Sequence, residues 1–295
     1  MAEERPDWVD SELYPFEDRW AEVDGSTVHY VDEGSGPPLL MLHGNPTWSF
    51  TWRDVIKGLR DEYRCVALDY PGFGLSTERV APGYAFRPQD HARVVHQLVE
   101  QLDLRGITLL MQDWGGPIGF AAAARAAERY KRFAIGNTWA WPMNKNPAAQ
   151  VFSRFLGGPI GGHLIKHRNF FVERIIPGGT KLTGPDDAVM EHYRRPFPTP
   201  ASRVPMHVFP RAIVGETEWL GEVERSLASL DDKPALLLWP TRDQAFGDTE
   251  RERWEQTFPD HRTVALEGAG HYIGEDAPQE IVTALQDWRS AASHP

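Results

Sequence analysis

The sequence lacks the features that mark a disulfide-stapled or membrane-bound protein. It has one cysteine in 295 residues, so no disulfide can form within the chain. Cys65 is expected to be a buried strand residue in a reducing compartment. No apolar run approaches the roughly 18 residues that cross a bilayer, and residues 1–10 lack the apolar core of a signal peptide. We therefore expect a soluble, cytoplasmic protein.

Clusters of positive charge are also missing. Asp and Glu together number 42, Lys and Arg 31, and the formal net charge is −11. Nucleic acids and anionic membranes attract cationic surfaces, and no block of Lys and Arg residues in this sequence predicts such a surface. The charge balance therefore argues against both as partners.

Short apolar runs alternate with stretches of helical length and periodicity, which predicts an α/β fold with a mostly parallel sheet and helices on both faces. The predicted strands lie in "STVHYVDEG", "PPLLMLHG", "YRCVALDYPG", "ITLLMQDWGG", "FAIGNTW", "PALLLWPTRD" and "RTVALEGAGH". The predicted helices cover about residues 50–60, 88–104, 115–130, 247–257 and 277–291. Because such sheets bind ligands at the carboxyl ends of their strands, the polar residues that end these runs are the candidate site.

The alternation stops between residues 140 and 213, where Pro, Gly and aromatic residues separate short helical pieces. This segment holds six Phe, which a disordered loop would leave in water. We therefore predict a helical cap at 140–213, inserted into a core domain formed by 1–139 and 214–295.

In "MQDWGG", a predicted strand ends at Gln112 and a helix opens at Gly115, so Asp113 lies at a sharp strand-to-helix corner. This is where an α/β-hydrolase fold places its nucleophile. Gly115 is small, as that motif requires two residues after the nucleophile, but Met111 is not small two residues before it. Taken alone, Asp113 could equally be a helix N-cap.

Two further residues favour the catalytic interpretation. Asp243 follows the strand in "LLLWPTRD", and His271 follows the last predicted strand and a Gly-Ala-Gly turn. The chain order nucleophile, acid, histidine is that of α/β-hydrolase triads. We therefore predict Asp113, Asp243 and His271 as catalytic residues.

A carboxylate nucleophile is already ionised at neutral pH and can attack an sp³ carbon without a base. The resulting ester needs water delivered to its carbonyl, which is the predicted role of His271 with Asp243 as its partner. The backbone N–H groups of Trp114 and Asn45 are the candidate oxyanion donors. His43 and Gly44 are interpreted as structural turn residues.

The leaving group is then either a halide or an epoxide oxygen. A halide needs neutral donors, which the Trp114 indole and the Asn45 carboxamide can supply. An epoxide oxygen needs an acid, which two cap tyrosines typically provide, whereas Tyr193 is the single tyrosine between 140 and 213. The halide interpretation is therefore preferred.

Several segments resemble those of the haloalkane dehalogenases of the α/β-hydrolase superfamily. They are "HGNPTWSFTWR", "DYPGFGLS", "QDWGGPIGF", "HYRRPFP", "FPR" and "AGHYIGEDAP", spread from about residue 25 to 290. The resemblance implies Asp113 as nucleophile, His271 as base, and Asn45 with Trp114 as halide-binding residues.

The resemblance also bears on the acid and on the pocket. One branch of that family has Glu after the sixth strand, where this chain has the neutral Asn137; the combination of Asp243 and Asn45 is similar to another branch, which tends to form homo-oligomers. The pocket residues that the resemblance implies are Phe171, Phe209 and Pro210, while Phe152 and Phe155 are candidates by spacing.

The combined prediction is hydrolysis of a small apolar haloalkane to a primary alcohol, a halide ion and a proton, without cofactor or metal. A role in detoxification would fit that reaction. Three alternatives stay open: an epoxide hydrolase of the same fold, a luciferase-type oxygenase, and a non-catalytic protein that binds an apolar ligand.

Overall fold

The computed structural model describes residues 5–77 and 79–291, in which eight strands form one mostly parallel sheet in the order β1-β2-β4-β3-β5-β6-β7-β8. β1 and β2 run antiparallel to their neighbours, and β3 to β8 are parallel. The strands are β1 Arg19–Val23, β2 Ser26–Glu33, β3 Pro38–Leu42, β4 Arg64–Leu68, β5 Ile107–Asp113, β6 Tyr130–Thr138, β7 Ala235–Pro240 and β8 His261–Leu266. The predicted α/β class is confirmed.

Helices cover both faces of the sheet, and further helices form the segment of the chain that connects β6 to β7. The α-helices are α1 Arg53–Leu59, α2 Pro88–Gln101, α3 Gly115–Ala123, α4 Pro147–Gly157, α5 Pro159–Arg168, α6 Ile176–Gly179, α7 Asp187–Arg194, α8 Val204–Gly215, α9 Thr217–Ser226, α10 Asp248–Thr257, α11 Ile273–Asp276 and α12 Pro278–Ala291. A π-helical turn, Phe171–Ile175, precedes α6. None of the helices in the described ranges is both long and apolar enough to cross a membrane.

The predicted strands are all present, and two details differ. β1 was not predicted, because its sequence RWAEV has only a short, half-buried apolar pattern. The helix predicted at 115–130 ends at Ala123, and β6 already begins at Tyr130. No Gly or Pro stands at that end, so local sequence could not mark it, and the packing of β6 against β5 decides where the helix stops.

The segment between β6 and β7 forms α4 to α9, and α4 packs along α8. The division into core and cap stays a prediction, and its second boundary, between residues 213 and 214, falls inside α8. Three of the six Phe predicted to be buried here are buried, Phe171, Phe197 and Phe209, whereas Phe152 and Phe155 of α4 are 40% and 50% exposed.

Cys65 is fully buried in β4, as predicted. Burial raises the pKa of its thiol to about 12, so the sulfur is kept in its unreactive protonated form. Cys65 is therefore interpreted as a packing residue of β4.

A buried network of charged side chains around His29 binds the end of the loop that leads from β3 into the candidate site. The His29 ring lies between the carboxylates of Asp69, at 2.9 Å, and Asp18, at 3.0 Å, and Arg5 donates to Asp18. Asp69 also accepts the backbone N–H of Ser49 at 2.8 Å, at the end of the loop that follows β3. Burial disfavours the charged ring, but the two carboxylates outweigh it and raise the pKa of His29 to about 9.

Replacement of His29 by Leu should destabilise the fold by about 3–5 kcal/mol, because Asp69 would keep a buried charge without its partner. The pKa of His29 is higher in the folded than in the unfolded chain. Its contribution is therefore complete below about pH 6.5 and lost as the pH rises through about 9. Urea unfolding at pH 6 and at pH 9.5 measures both effects.

The control is His96→Leu, since the half-buried His96 lies 3.6 Å from the exposed Glu100 and should contribute less than about 1 kcal/mol. Equal losses in the two variants, or a His29→Leu loss that does not shrink towards pH 9.5, would contradict the assignment of charge to His29.

Candidate active site

Asp113 ends the central strand β5 in a left-handed backbone conformation, with φ of +51°. Such a conformation is uncommon for residues other than glycine, and strained residues of this kind concentrate at functional sites. The backbone N–H of Asn45 donates to Asp113 Oδ1 at 2.9 Å, and Thr138 Oγ1 donates to the Asp113 carbonyl. The corner thus holds one carboxylate oxygen and the main chain, and leaves Oδ2 facing His271.

Two glycines let other backbone segments approach this corner. A Cβ on Gly44 would collide with the Asp113 side chain, and a Cβ on Gly115 would lie 2.5 Å from the Leu42 carbonyl oxygen. Both glycines are therefore required by the close packing of the β3 loop and α3 against Asp113.

The unusual Met111 is accommodated by a glycine elsewhere in the corner. Met111 is fully buried, and a Cβ on Gly119 of α3 would lie 2.7 Å from its Sδ atom. The space that a small residue at position 111 would provide is therefore supplied by position 119. This accounts for the departure from the usual nucleophile motif.

The three predicted catalytic residues lie together at the carboxyl ends of β5, β7 and β8. His271 Nδ1 is 3.0 Å from Asp243 Oδ2, and His271 Nε2 is 3.6 Å from Asp113 Oδ2. Asp113 and His271 keep 13% and 14% of their side-chain surface exposed, and Asp243 keeps 1%. The histidine therefore bridges the two carboxylates, with the nucleophile candidate on the side of its Nε2 atom.

The two carboxylates control the charge of the imidazole. Burial disfavours the protonated form, but Asp243 and Asp113 outweigh it and raise the pKa of His271 to about 10. For Asp243, burial raises the pKa, but His271 and hydrogen-bond donors lower it below its usual value. His271 is consequently an imidazolium at neutral pH as long as Asp113 keeps its charge.

Two neutral amides that the sequence interpretation did not assign hold this histidine in place. Asn137 donates from Nδ2 to Asp243 Oδ2 and, at 2.8 Å, to the His271 carbonyl. Gln112 donates to the same carbonyl at 3.0 Å. The sequence interpretation noted only that the neutral Asn137 cannot serve as the carboxylate partner of His271. Its position at the end of a strand was the signal that it could orient the histidine.

The loop that carries His271 is fastened from the helical segment as well. The His271 backbone N–H donates to the Gly179 carbonyl at 2.7 Å. Asp276 accepts the backbone N–H groups of Gly270, Lys181 and Leu182. The helical segment and the loop that carries His271 are thus joined beside the imidazole.

The two predicted halide-binding residues both line the cavity above Asp113. The Trp114 indole packs between Trp139, at a centroid distance of 4.7 Å, and Phe209, at 5.0 Å. Its N–H has no acceptor among residues 5–77 and 79–291. Asn45 Nδ2 donates one hydrogen to the Met206 carbonyl at 3.3 Å, which leaves its second hydrogen available.

The cavity has a volume of about 460 Å³. Of the predicted pocket residues, Phe171, Pro210 and Phe152 line it. Phe209 and Phe155 were predicted to line it and do not. Phe209 packs behind Trp114, and Phe155 lies three residues after Phe152 on α4 with half of its surface in solvent. Spacing on a helix could not tell which of the two α4 aromatics faces the cavity.

Several cavity residues were not predicted. Trp139, Phe246 and Tyr272 contribute aromatic surface, and Arg174, Lys181 and Arg242 contribute positive charge. Each lies shortly after a strand or within the helical segment, but no spacing rule singles them out. Their position depends on how the segment after β6 folds back over the sheet.

Tyr193 does not line the cavity. It is fully buried, and its hydroxyl donates to Glu275, which also forms an ion pair with Arg53. The single tyrosine between residues 140 and 213 thus serves as a packing residue away from Asp113.

The chain is similar to known proteins over most of its length. Residues 37–278 match the family model described as alpha/beta hydrolase fold. The chain is 46% identical over 278 residues to haloalkane dehalogenase 2 of Mycobacterium tuberculosis, covering 94% of this chain and 96% of the relative. It is 30% identical to cis-3-alkyl-4-alkyloxetan-2-one decarboxylase of Shewanella oneidensis, covering 93% and 88%. Among solved structures, haloalkane dehalogenase DbeA of Bradyrhizobium elkani matches with a TM-score of 0.85 at 29% identity, covering 94% of this chain and 98% of that one.

Replacement of Asp113 by Asn should lower the pKa of His271 by about two to three units, towards neutrality, because one of its two neighbouring carboxylates loses its charge. Replacement of Asp243 by Asn should lower the pKa of His271 more than replacement of Asp113 does, since the Asp243 carboxylate is nearer to the ring. Histidine NMR titration measures the change, with the distant His207 in the same spectra as internal control. An unchanged His271 titration in both variants would contradict the bridging geometry.

Proposed function

This chain belongs to the haloalkane dehalogenases of the α/β-hydrolase fold, hydrolases of carbon–halide bonds, and we propose that it acts through a covalent alkyl-enzyme ester on Asp113. The observation that supports the ester is the position of the Asp113 carboxylate at the bottom of the cavity. There Asp113 Oδ1 accepts the Asn45 N–H, and Asp113 Oδ2 lies 3.6 Å from His271 Nε2. A fixed, partly desolvated carboxylate facing an apolar cavity is suited to attack carbon.

In the first proposed step, Asp113 Oδ2 attacks the halogen-bearing carbon and the carbon–halogen bond breaks. The developing halide is bound by the Trp114 indole N–H and the free N–H of the Asn45 carboxamide. Neither donor carries a charge, so neither holds the product ion too tightly. The negative charge moves from the carboxylate to the halide, and the ester that remains is neutral.

In the second proposed step, His271 activates the water that attacks the ester carbonyl. Loss of the charge on Asp113 removes one of the two carboxylates that keep the imidazole protonated, so the pKa of His271 falls. The ring then releases its proton to solvent, which is the proton among the products, and becomes a base. Asp243 and Asn137 keep its Nδ1 side oriented. The Asn45 N–H stays on Oδ1, where the oxyanion forms. Alcohol, halide and proton are the products.

The enzymatic alternatives differ in the substrate that they turn over, and a non-catalytic binding protein would turn over none. Bromide release from 1,2-dibromoethane without turnover of styrene oxide supports the dehalogenase, and turnover of the oxide alone would contradict it. A cis-dialkyl β-lactone probes the activity named for the Shewanella relative, and coelenterazine probes a luciferase-type oxygenase. The burial of Tyr193 against Glu275 supports the choice against an epoxide hydrolase, because its hydroxyl cannot reach an epoxide at Asp113.

Replacement of His271 by Phe should trap the ester, because attack on carbon needs no base whereas hydrolysis does. Mass spectrometry of this variant after incubation with 1-bromohexane should show one added hexyl group on Asp113. His261→Phe, at an exposed histidine on β8, is the matched control and should show none. A double variant with Asp113→Asn tests the site of attachment, and an adduct that survives in it would place the nucleophile elsewhere.

Replacement of Trp114 by Phe should lower kcat/KM for bromide release by about 10- to 100-fold, since a hydrogen bond to an ionised acceptor contributes about 1.5–3 kcal/mol. The matched control is Trp139→Phe. This neighbouring indole packs against Trp114, and its N–H is buried from solvent with no partner among residues 5–77 and 79–291. Steady-state kinetics should show a much smaller loss for the control. Equal losses would assign packing, not halide binding, to Trp114.

A cytoplasmic location, a role in detoxification and self-association into a homo-oligomer stay predictions from the sequence. Their natural tests are fractionation of cells, growth on halogenated compounds and sedimentation of the purified protein.

A further inference from the structure

The walls of the cavity carry an excess of positive charge. Arg174, Lys181 and Arg242 line it, and among the described residues its only carboxylates are Asp113 and Asp243, which both face His271. Arg174 and Arg242 are exposed and Lys181 is half-buried, so the three cations lie towards solvent. We call these three residues the cationic rim.

The cationic rim has no acidic partner among the described residues. No ion pair joins Arg174, Lys181 or Arg242 to a carboxylate in residues 5–77 and 79–291. Glu173, next to Arg174, pairs with Arg194 at 3.0 Å. Asp276 is occupied by backbone N–H groups, that of Lys181 included. In a chain with a net charge of −11, three unpaired cations around one opening are a local reversal of sign.

The rim residues come from elements that are fixed relative to the catalytic residues. Arg174 lies in the same π-helical turn as Phe171 of the cavity wall. Lys181 follows Gly179, whose carbonyl accepts the His271 N–H. Arg242 immediately precedes Asp243, and its backbone N–H donates to the Ala269 carbonyl. The distance between rim and nucleophile is therefore set by the fold.

From this geometry we propose that the rim binds the anionic end of an extended substrate whose halogenated carbon reaches Asp113. The substrate class is ω-haloalkanoates, in which an apolar chain fills the aromatic part of the cavity and a carboxylate meets the cations. Positive potential at the mouth of a cleft steers anions to it and offsets repulsion by Asp113. The inference rests on the proposed function and adds the substrate class.

The test compares 6-bromohexanoate and 8-bromooctanoate with the corresponding neutral amides. Wild-type protein should prefer each acid in kcat/KM, and the preference should fall by about five-fold in Arg174→Gln or Arg242→Gln and more in the double variant. It should also fall as salt is raised. Arg168→Gln, which removes an exposed arginine outside the cavity, is the matched control and should keep the preference.

Binding of octanoate and octanamide, followed by tryptophan fluorescence, gives a readout that does not depend on turnover. Tighter binding of octanoate that weakens in the rim variants and not in Arg168→Gln supports the rim. Equal binding of the two ligands, or equal effects of all arginine variants, overturns it. Failure of the proposed function would look different: neither the acids nor the amides would release bromide, whatever the binding data show.

Discussion

The arrangement of the site depends on the left-handed corner at Asp113. The strained backbone turns the carboxylate out of the sheet, and the corner is possible because Gly44 and Gly115 let the β3 loop and α3 approach it. That same approach brings the Asn45 N–H onto Oδ1 and the Trp114 indole into the cavity. One backbone conformation thus fixes the proposed nucleophile, its proposed oxyanion donor and the proposed halide-binding residues together.

Charge balance links the corner to the rest of the fold. His271 lies between two carboxylates, so its protonation follows the charge on Asp113, and the proposed reaction itself switches the ring from acid to base. Asp243, the proposed acid, comes from the loop after β7, and the amide of Asn137 at the end of β6 donates to its carboxylate. Further out, the His29 network uses the same arrangement, an imidazole between two carboxylates, to fix the loop that leads from β3 to Ser49.

The helical segment after β6 supplies part of the cavity wall and part of its positive charge. It closes the cavity with Phe171 and Pro210, fastens the His271 loop through Gly179, and contributes Arg174 and Lys181 to the cationic rim. The sheet provides reactive groups at fixed spacing, and this segment provides the shape and charge that a substrate would meet. The proposed reactive groups therefore come from the strand ends, and much of the cavity wall comes from a different part of the chain.

The sequence by itself determined the alternation of strands and helices, the corner at Asp113, and the chain order of Asp113, Asp243 and His271. It could do so because apolar periodicity and turn residues are local properties. Only the tertiary structure decided that Gly119 makes room for Met111, that Asn137 and Gln112 hold His271, and that Phe155 faces solvent. It also decided that three cations line one cavity. These features join residues far apart in the chain, and their positions depend on packing between elements that no local pattern encodes.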